Sequence, residues 1–305
     1  MSRSSLVAML IAVEIAIVGI ALFTVRDMAH VHAAGFAAKT FAPLDAGSAP
    51  VVAIDDRDSR VDVAASTDGL VHVKDLTDLH GAFFGSHASV AQLDVKRTAG
   101  GISISRPDSG HTSYFDFWNS ERRIEVDVPS GARLEIARCS GARIAGVEGG
   151  VTVASQDGRI TLTDLRGTIQ AKSDDGSITA TRVRGDNLVL QSSDGRLRLE
   201  DVSASSLDAQ TRDGSIEAHG LAIAGGAQHA VLHTADGSIR VALATGADLT
   251  VDASTGDGHI DVDGNAAGNG DSDSAKRTVR VGNGSGSLQL SSGDGSIHLT
   301  TNGAV

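Results

Sequence analysis

Six aspartates, Asp157, Asp175, Asp194, Asp213, Asp236 and Asp257, each stand directly before a glycine and recur at intervals of 18 to 23 residues. Carboxylate oxygens are the ligands that calcium-like cations take. If the fold stacks these positions at the inter-strand spacing of about 4.8 Å, neighbours repel by about 0.9 kcal/mol in water. A ladder of divalent cations would relieve that repulsion. So would a solvated turn, in which each Asp accepts hydrogen bonds from its own backbone, as Asp commonly does. The turn reading is favoured. Calcium-binding β-rolls carry Gly-Gly-x-Gly-x-Asp-x-apolar, whereas here the apolar residue falls three places after Asp and no Gly-Gly precedes it. Asp261-Val262-Asp263-Gly264-Asn265 is similar to a helix-loop-helix calcium loop, but Ala266 sits where glycine is required and Ser272 where glutamate would close the site. That segment reads as a flexible acidic loop.

A second candidate is aromatic. Tyr114, Phe115, Phe117 and Trp118 are four of the nine aromatic residues, in one short segment followed by Arg122 and Arg123. Clustered aromatics form contact platforms for sugars or protein partners, or they plug the open end of a repeat array, which such arrays require. The cap, joined by Phe83 and Phe84, is the favoured reading.

Other chemistry finds little support. The eleven histidines include no HExxH, and His229 with His233 would converge only on a helix. Gly282 to Ser287 is glycine-rich but lacks the lysine of a phosphate loop, and there is no nucleophile elbow. Cys139 is the only cysteine, so neither an internal disulfide nor a thiolate metal cluster can form. Net charge is −12, from 38 acidic and 26 basic residues spread along the chain, which disfavours nucleic acid as a partner. No catalytic residue and no cofactor is expected.

The elements that position these residues are written in a repeated phrase, Ser/Thr-x-Asp-Gly-x-Ile/Leu, found at Ser155, Ser173, Ser192, Thr211, Thr234, Thr255 and Ser292. The first four copies are 18, 19 and 19 residues apart, which marks a repeat architecture. Within a unit, Ile160 and Leu162 alternate with Thr161 and Thr163, Leu165-Arg166-Gly167 breaks the strand, and Ile169 and Ala171 alternate with Gln170 and Lys172. Each unit therefore has two short strands and two corners. STDGLV, from Ser66, reads as an early isolated copy.

Asp-Gly between alternating strands can close a hairpin, since both central positions of a type I′ turn need positive φ; serial hairpins would make an antiparallel meander. The same dipeptide can instead be the corner of a solenoid with equivalent strands stacked in parallel. The near-constant interval favours the solenoid, because it places Ile160, Ile178, Leu197 and Ile216 in one interior ladder.

Ahead of the repeats, residues 6–25 are apolar except for Glu14, Gly19 and Thr24, long enough to span a bilayer as a helix. Residues 1–26 are therefore expected to anchor the chain. Val31-His32-Ala33 offers the alternative of signal cleavage and secretion. Residues 27–50 read as an Ala/Gly-rich linker and 51–303 as the β-solenoid, with 51–131 an irregular N-terminal β part and cap and 132–303 the repeat array.

Val126-Asp127-Val128-Pro129-Ser130-Gly131 followed by serial Ser/Thr-x-Gly-x-Ile-type repeats resembles the bacterial toast-rack domain, a domain of unknown function also labelled an adhesin domain. The resemblance covers about Val51 to Leu299. It implies an all-β, right-handed, single-stranded parallel β-helix of 18–19-residue turns on the outer side of a bacterial membrane, with no established enzymatic activity. CSGARI, from Cys139, has one residue more between Gly and Ile than the repeats, and the late intervals of 23 and 37 residues imply loops near Ala222 to Gln228 and Gly264 to Ala275.

Two functions follow. One is a non-enzymatic, single-pass membrane-anchored module of the cell envelope, adhesin-like or sensing, whose flank binds an envelope protein or glycan. The other is a carbohydrate-active β-helix enzyme, a polysaccharide lyase or hydrolase. An enzyme wants paired carboxylates with Lys, Arg or aromatics on one concave face, and only four lysines lie beyond the linker.

Overall fold

The computed structural model describes residues 37–80, 92–107, 119–223, 229–264, 267–269 and 275–301, and among them every regular element is a β-strand. The expected anchor at 6–25 lies outside the described residues. No described helix is long and apolar enough to cross a membrane.

The chain winds between two faces. On the first, strands Val151–Ser155, Ile169–Ser173, Arg184–Ser192 and Ser203–Thr211 pair in parallel. On the second, Ile160–Thr163, Ile178–Thr181, Leu197–Glu200 and Ile216–Ile223 do the same. Parallel pairing excludes the hairpin meander. Ile160 lies opposite Ile178, Ile178 opposite Leu197, and Leu197 opposite Ile216, so the anticipated ladder exists, and all four are fully buried. Each coil adds four more interior positions, represented by Leu162, Leu165, Ile169 and Ala171, all fully buried. Burial stabilises each large side chain by about 1.5–3 kcal/mol, and in a solenoid that sum grows with every coil.

The phrase itself is explained by the corner between the faces. Its hydroxyl accepts from the glycine three residues on, as in Gly176 N to Ser173 Oγ at 3.0 Å and Gly237 N to Thr234 Oγ1 at 3.1 Å. The same hydroxyl donates to the glycine carbonyl of the neighbouring coil: Ser192 to Gly176, Thr211 to Gly195, Thr234 to Gly214, at 3.1, 3.0 and 2.8 Å. Each Ser or Thr thus satisfies two backbone groups that burial would otherwise leave unpaired. The glycine is required by contact. A Cβ on Gly176 would stand 2.1 Å from the Gly158 carbonyl oxygen, and one on Gly195 2.1 Å from that of Gly176. These glycines do not have the positive φ of a type I′ turn.

Positive φ belongs to the opposite corner. Gly146, Asp164, Arg182, Asp201 and Gly220, each four residues after the first inward residue of its second-face strand, have φ of 73°, 53°, 52°, 53° and 67°. In the first repeat the phrase corner is one residue shorter, so Ala142 lies opposite Ile160 and Ile144 opposite Leu162. The extra residue in CSGARI is therefore a one-position shift along the strand.

The order of coils departs from the order of sequence at both ends. Strand Val51–Asp55 lies between Gly101–Ser105 and Arg133–Arg138, and Ser59–Ala65 between Asn119–Val128 and Gly141–Ala145. At the other end, Gly286–Ser292 lies between His229–Thr234 and Leu249–Thr255, and Ile297–Thr301 between Ile239–Leu243 and Ile260–Gly264. The last coil in sequence is thus inserted beneath the one before it. The 37-residue interval, expected as a protruding loop, contains the antiparallel strands Ala267–Asn269 and Lys276–Val281, the latter covering Leu249–Thr255. Of the other expected loop, Ala222 and Ile223 belong to a strand and 224–228 lie outside the described residues. The part expected to be irregular, 51–131, supplies the paired strands of two coils. Its outer strands are covered in antiparallel fashion by His72–His80 and Asp94–Thr98. Such coverage blocks the exposed edges on which further strands would add. STDGLV is not a copy of the repeat: it follows a second-face strand and leads into His72–His80.

Candidate binding surface

The six aspartates stand at the bends before the second face, all exposed. Their backbone amides hold the stack, as in Asp175 N to Gln156 O at 2.9 Å and Asp236 N to Arg212 O at 2.9 Å. Coil insertion sets Asp294 between Asp236 and Asp257. Arg212 reaches Asp194 at 3.2 Å and Asp213 at 3.8 Å, so protein cations neutralise part of the row. Among the described residues, no three His, Cys, Asp or Glu side chains converge on a metal position. The acidic loop expected from Asp261 is, as far as Gly264, a strand paired with Ile297–Thr301. Asp261 faces His259 at 3.8 Å and Asp263 faces His298 at 3.3 Å; Asn265, Ala266 and Ser272 lie outside the described residues.

Beside the first part of this row runs an open groove of about 690 Å³, lined by Arg60, Arg143, Arg159, Arg196, Asp157 and Asp175 among others. The residue before the first inward position of each second-face strand supplies its floor. Successive coils place Arg60, Gly141, Arg159, Ser177 and Arg196 there, since Arg60 is opposite Gly141 and the next amides bond to the carbonyls of Arg159, Ser177 and Arg196. Arg159 Nε donates to Ser177 Oγ at 3.1 Å and Arg196 Nε to Ser215 Oγ at 3.2 Å. Arg60 pairs with Asp62 at 3.3 Å. Arg143, Arg159 and Arg196 have no carboxylate within ion-pair distance among the described residues. These arginines sit at variable positions of the phrase or outside it, and only the register of stacking shows that they share one groove.

A buried charge cluster at the N-terminal end was also invisible as a motif. Arg106 Nε donates to Asp56 at 2.7 Å and its Nη2 to Asp75 at 2.8 Å, while Ser59 Oγ donates to Asp56 at 2.7 Å. Burial pulls the Arg106 pKa down, and bonding to Asp75 and Asp56 more than reverses this. Asp56 occupies the ladder place that Ser155 and Ser173 hold later, two residues beyond the inward Ile54. Asp56-Arg57-Asp58-Ser59-Arg60-Val61 is therefore a degenerate first copy of the phrase. Cys139 is buried beside it, and that burial pushes its thiol pKa up. His233 bonds to Ser291 at 2.8 Å and His72 to Asp68 at 3.0 Å. Tyr114, Phe115, Phe117 and Trp118, with Phe83 and Phe84, lie outside the described residues, so neither cap nor platform is placed.

The coils match the Toastrack DUF4097 family model over residues 53–300. This chain belongs to that family. Among solved structures, the toast-rack chain is similar to a putative adhesin from Bacteroides fragilis, at 11% identity and TM-score 0.46, over 88% of this chain and 98% of that one. It is also similar to a putative cell adhesion protein from Clostridium sporogenes, at 12% identity and TM-score 0.25, over 88% and 100% of the two chains. The family assignment rests on the family model. Among curated proteins, none matches the chain.

Proposed function

We propose that this toast-rack chain is a non-enzymatic, adhesin-like interaction module, held at the outer side of a bacterial membrane by a helix at 6–25. In this reading its flank meets an envelope protein or glycan. The winding is taken as right-handed, the hand that connections between parallel strands of one sheet almost always adopt. The observation that carries the proposal is the stacked surface itself: among the described residues, ten parallel strands on each face, antiparallel covers at the ends, and an open groove running across several coils. Such a surface is rigid, long and polar, which suits contact with an extended partner. The repeat aspartates stand at exposed bends, and the two that border the groove, Asp157 and Asp175, lie on its wall and are not set on a concave sheet face, which favours the module over the enzyme.

Fractionation of a bacterial host expressing the full-length chain tests the proposal. The chain should resist extraction by carbonate and high salt, dissolve in detergent, and expose its repeats to protease added outside spheroplasts. Recovery in the soluble cytoplasmic fraction, or repeats protected from external protease, would overturn it.

A further inference from the structure

We propose that the arginine groove binds a linear polysaccharide that carries one carboxylate per disaccharide, lying along the stacking direction. The inference deepens the interaction-module reading and rests on it. Four guanidinium groups line one groove in a chain of net charge −12, and Arg143, Arg159 and Arg196 are free of carboxylate partners among the described residues. Unpaired arginine forks present two parallel N–H donors, the arrangement that grips a carboxylate in bidentate fashion.

The spacing selects the polymer. Arg60, Arg159 and Arg196 occupy every second coil of one ladder, with Gly141 and Ser177 between them. At the inter-strand distance, two coils span about 9.6 Å, comparable with the length of two pyranose rings. Arg159 and Arg196 lean alike, onto Ser177 and Ser215, so their guanidinium groups keep the two-coil separation. Asp157 and Asp175 on the groove wall offer acceptors to sugar hydroxyls and repel a polymer with charges on every unit.

Other polyanions fit less well. Among the described residues, no aromatic side chain lines the groove, so the bases of a single-stranded nucleic acid would find no stacking platform there. The strands beneath, Gly141–Ala145, Ile160–Thr163 and Ile178–Thr181, are paired on both sides, so an acidic peptide cannot dock by adding a strand.

The test is equilibrium binding of hyaluronan oligosaccharides, which carry one carboxylate per disaccharide, to the full-length chain and to its R159S/R196S variant. Serine is the residue the array itself places at this ladder position in Ser177 and Ser215, so the variant should keep its melting temperature. The expected result is saturable binding that weakens with salt, is absent for neutral dextran, and falls by about tenfold or more in the variant, since each lost charge-assisted contact is worth at least that factor. Equal binding by the variant, no hyaluronan binding by the native chain, or tighter binding of single-stranded DNA or poly-glutamate would each overturn the proposal. Attachment of the detergent-solubilised native chain to lipid-free cell-wall and envelope-glycan fractions separates the two levels. If the variant attaches as the native chain does, only the groove assignment falls; if the native chain attaches to no envelope fraction, the interaction reading falls with it.

Discussion

Each phrase residue has one backbone task. Ser or Thr bridges two coils, and glycine lets one coil's bend lie directly on the next. In Gly195→Ala the new methyl would meet the Gly176 carbonyl oxygen at 2.1 Å, so the coils must part, at about 1–3 kcal/mol by the usual scale of overpacking. Gly100→Ala, whose Cβ meets no atom within 4 Å, should leave the melting temperature unchanged. Thr234→Val keeps the shape but strips partners from Gly237 N and the Gly214 carbonyl, a loss of about 1–3 kcal/mol in denaturant unfolding. The exposed aspartate row carries a further expectation: adding calcium and then EDTA should leave the melting temperature of the full chain unchanged. A reversible rise of several degrees would restore the cation ladder. The recurrence of Asp-Gly showed that these residues make a corner. The reason for the glycine was not legible, because it lies in contact with a coil 18 or 19 residues away in sequence.

Alternation of apolar residues gave both strands of each coil, and the constant interval gave their parallel register, since only stacking keeps like residues at like places. The opposite corner was harder to read. It demands one left-handed residue, and among the described coils that demand is met by Gly146, Gly220 and Gly264 in three and by Asp164, Arg182 and Asp201 in three others, so no single letter marks it. Replacing Asp201 by Gly should raise stability by about 1 kcal/mol, as a side chain is removed from a conformation it disfavours. Near the C-terminal end, Asp248 accepts from Gly284 N at 2.6 Å and from Ser285 Oγ at 2.9 Å, which tethers the glycine-rich turn first considered as a phosphate loop. The Ser285 hydroxyl, with the backbone amides of the turn, holds the Asp248 pKa below its ordinary value, and Arg138 and Arg182 do the same for Asp55 and Asp164. A carboxyl lowered by folding stabilises above its unfolded pKa and loses that contribution as pH falls through the folded one. The melting temperature should therefore hold from neutral pH to about 5 and fall below about 4, with a shallower fall in Asp248→Asn.

Over the whole molecule, insertion replaces simple succession. A solenoid that stacked in sequence order would expose its last coil on one side and fray from it. Here the last coil in sequence has neighbours on both sides in both faces, and the coil before it is the outer one, covered on one face by Lys276–Val281. Sequence intervals could register that something intervened between Gly258 and Gly295 but could not order the coils, because an inserted coil has the same apolar pattern as an added one. A chain ending at Asn283 would remove the parallel partners of Leu249–Thr255 and Ile260–Gly264, which join them to the rest of the stack, and both outer coils should be lost together in a lowered, broadened unfolding transition. The most direct measurement is native-state hydrogen exchange on the full-length chain, resolved by strand. Insertion predicts that the amides of Gly286–Ser292 and Ile297–Thr301 exchange as slowly as those of Ile178–Thr181 at the centre, and more slowly than those of Ile260–Gly264. Rapid exchange of Ile297–Thr301, with Ile260–Gly264 the better protected, would contradict it.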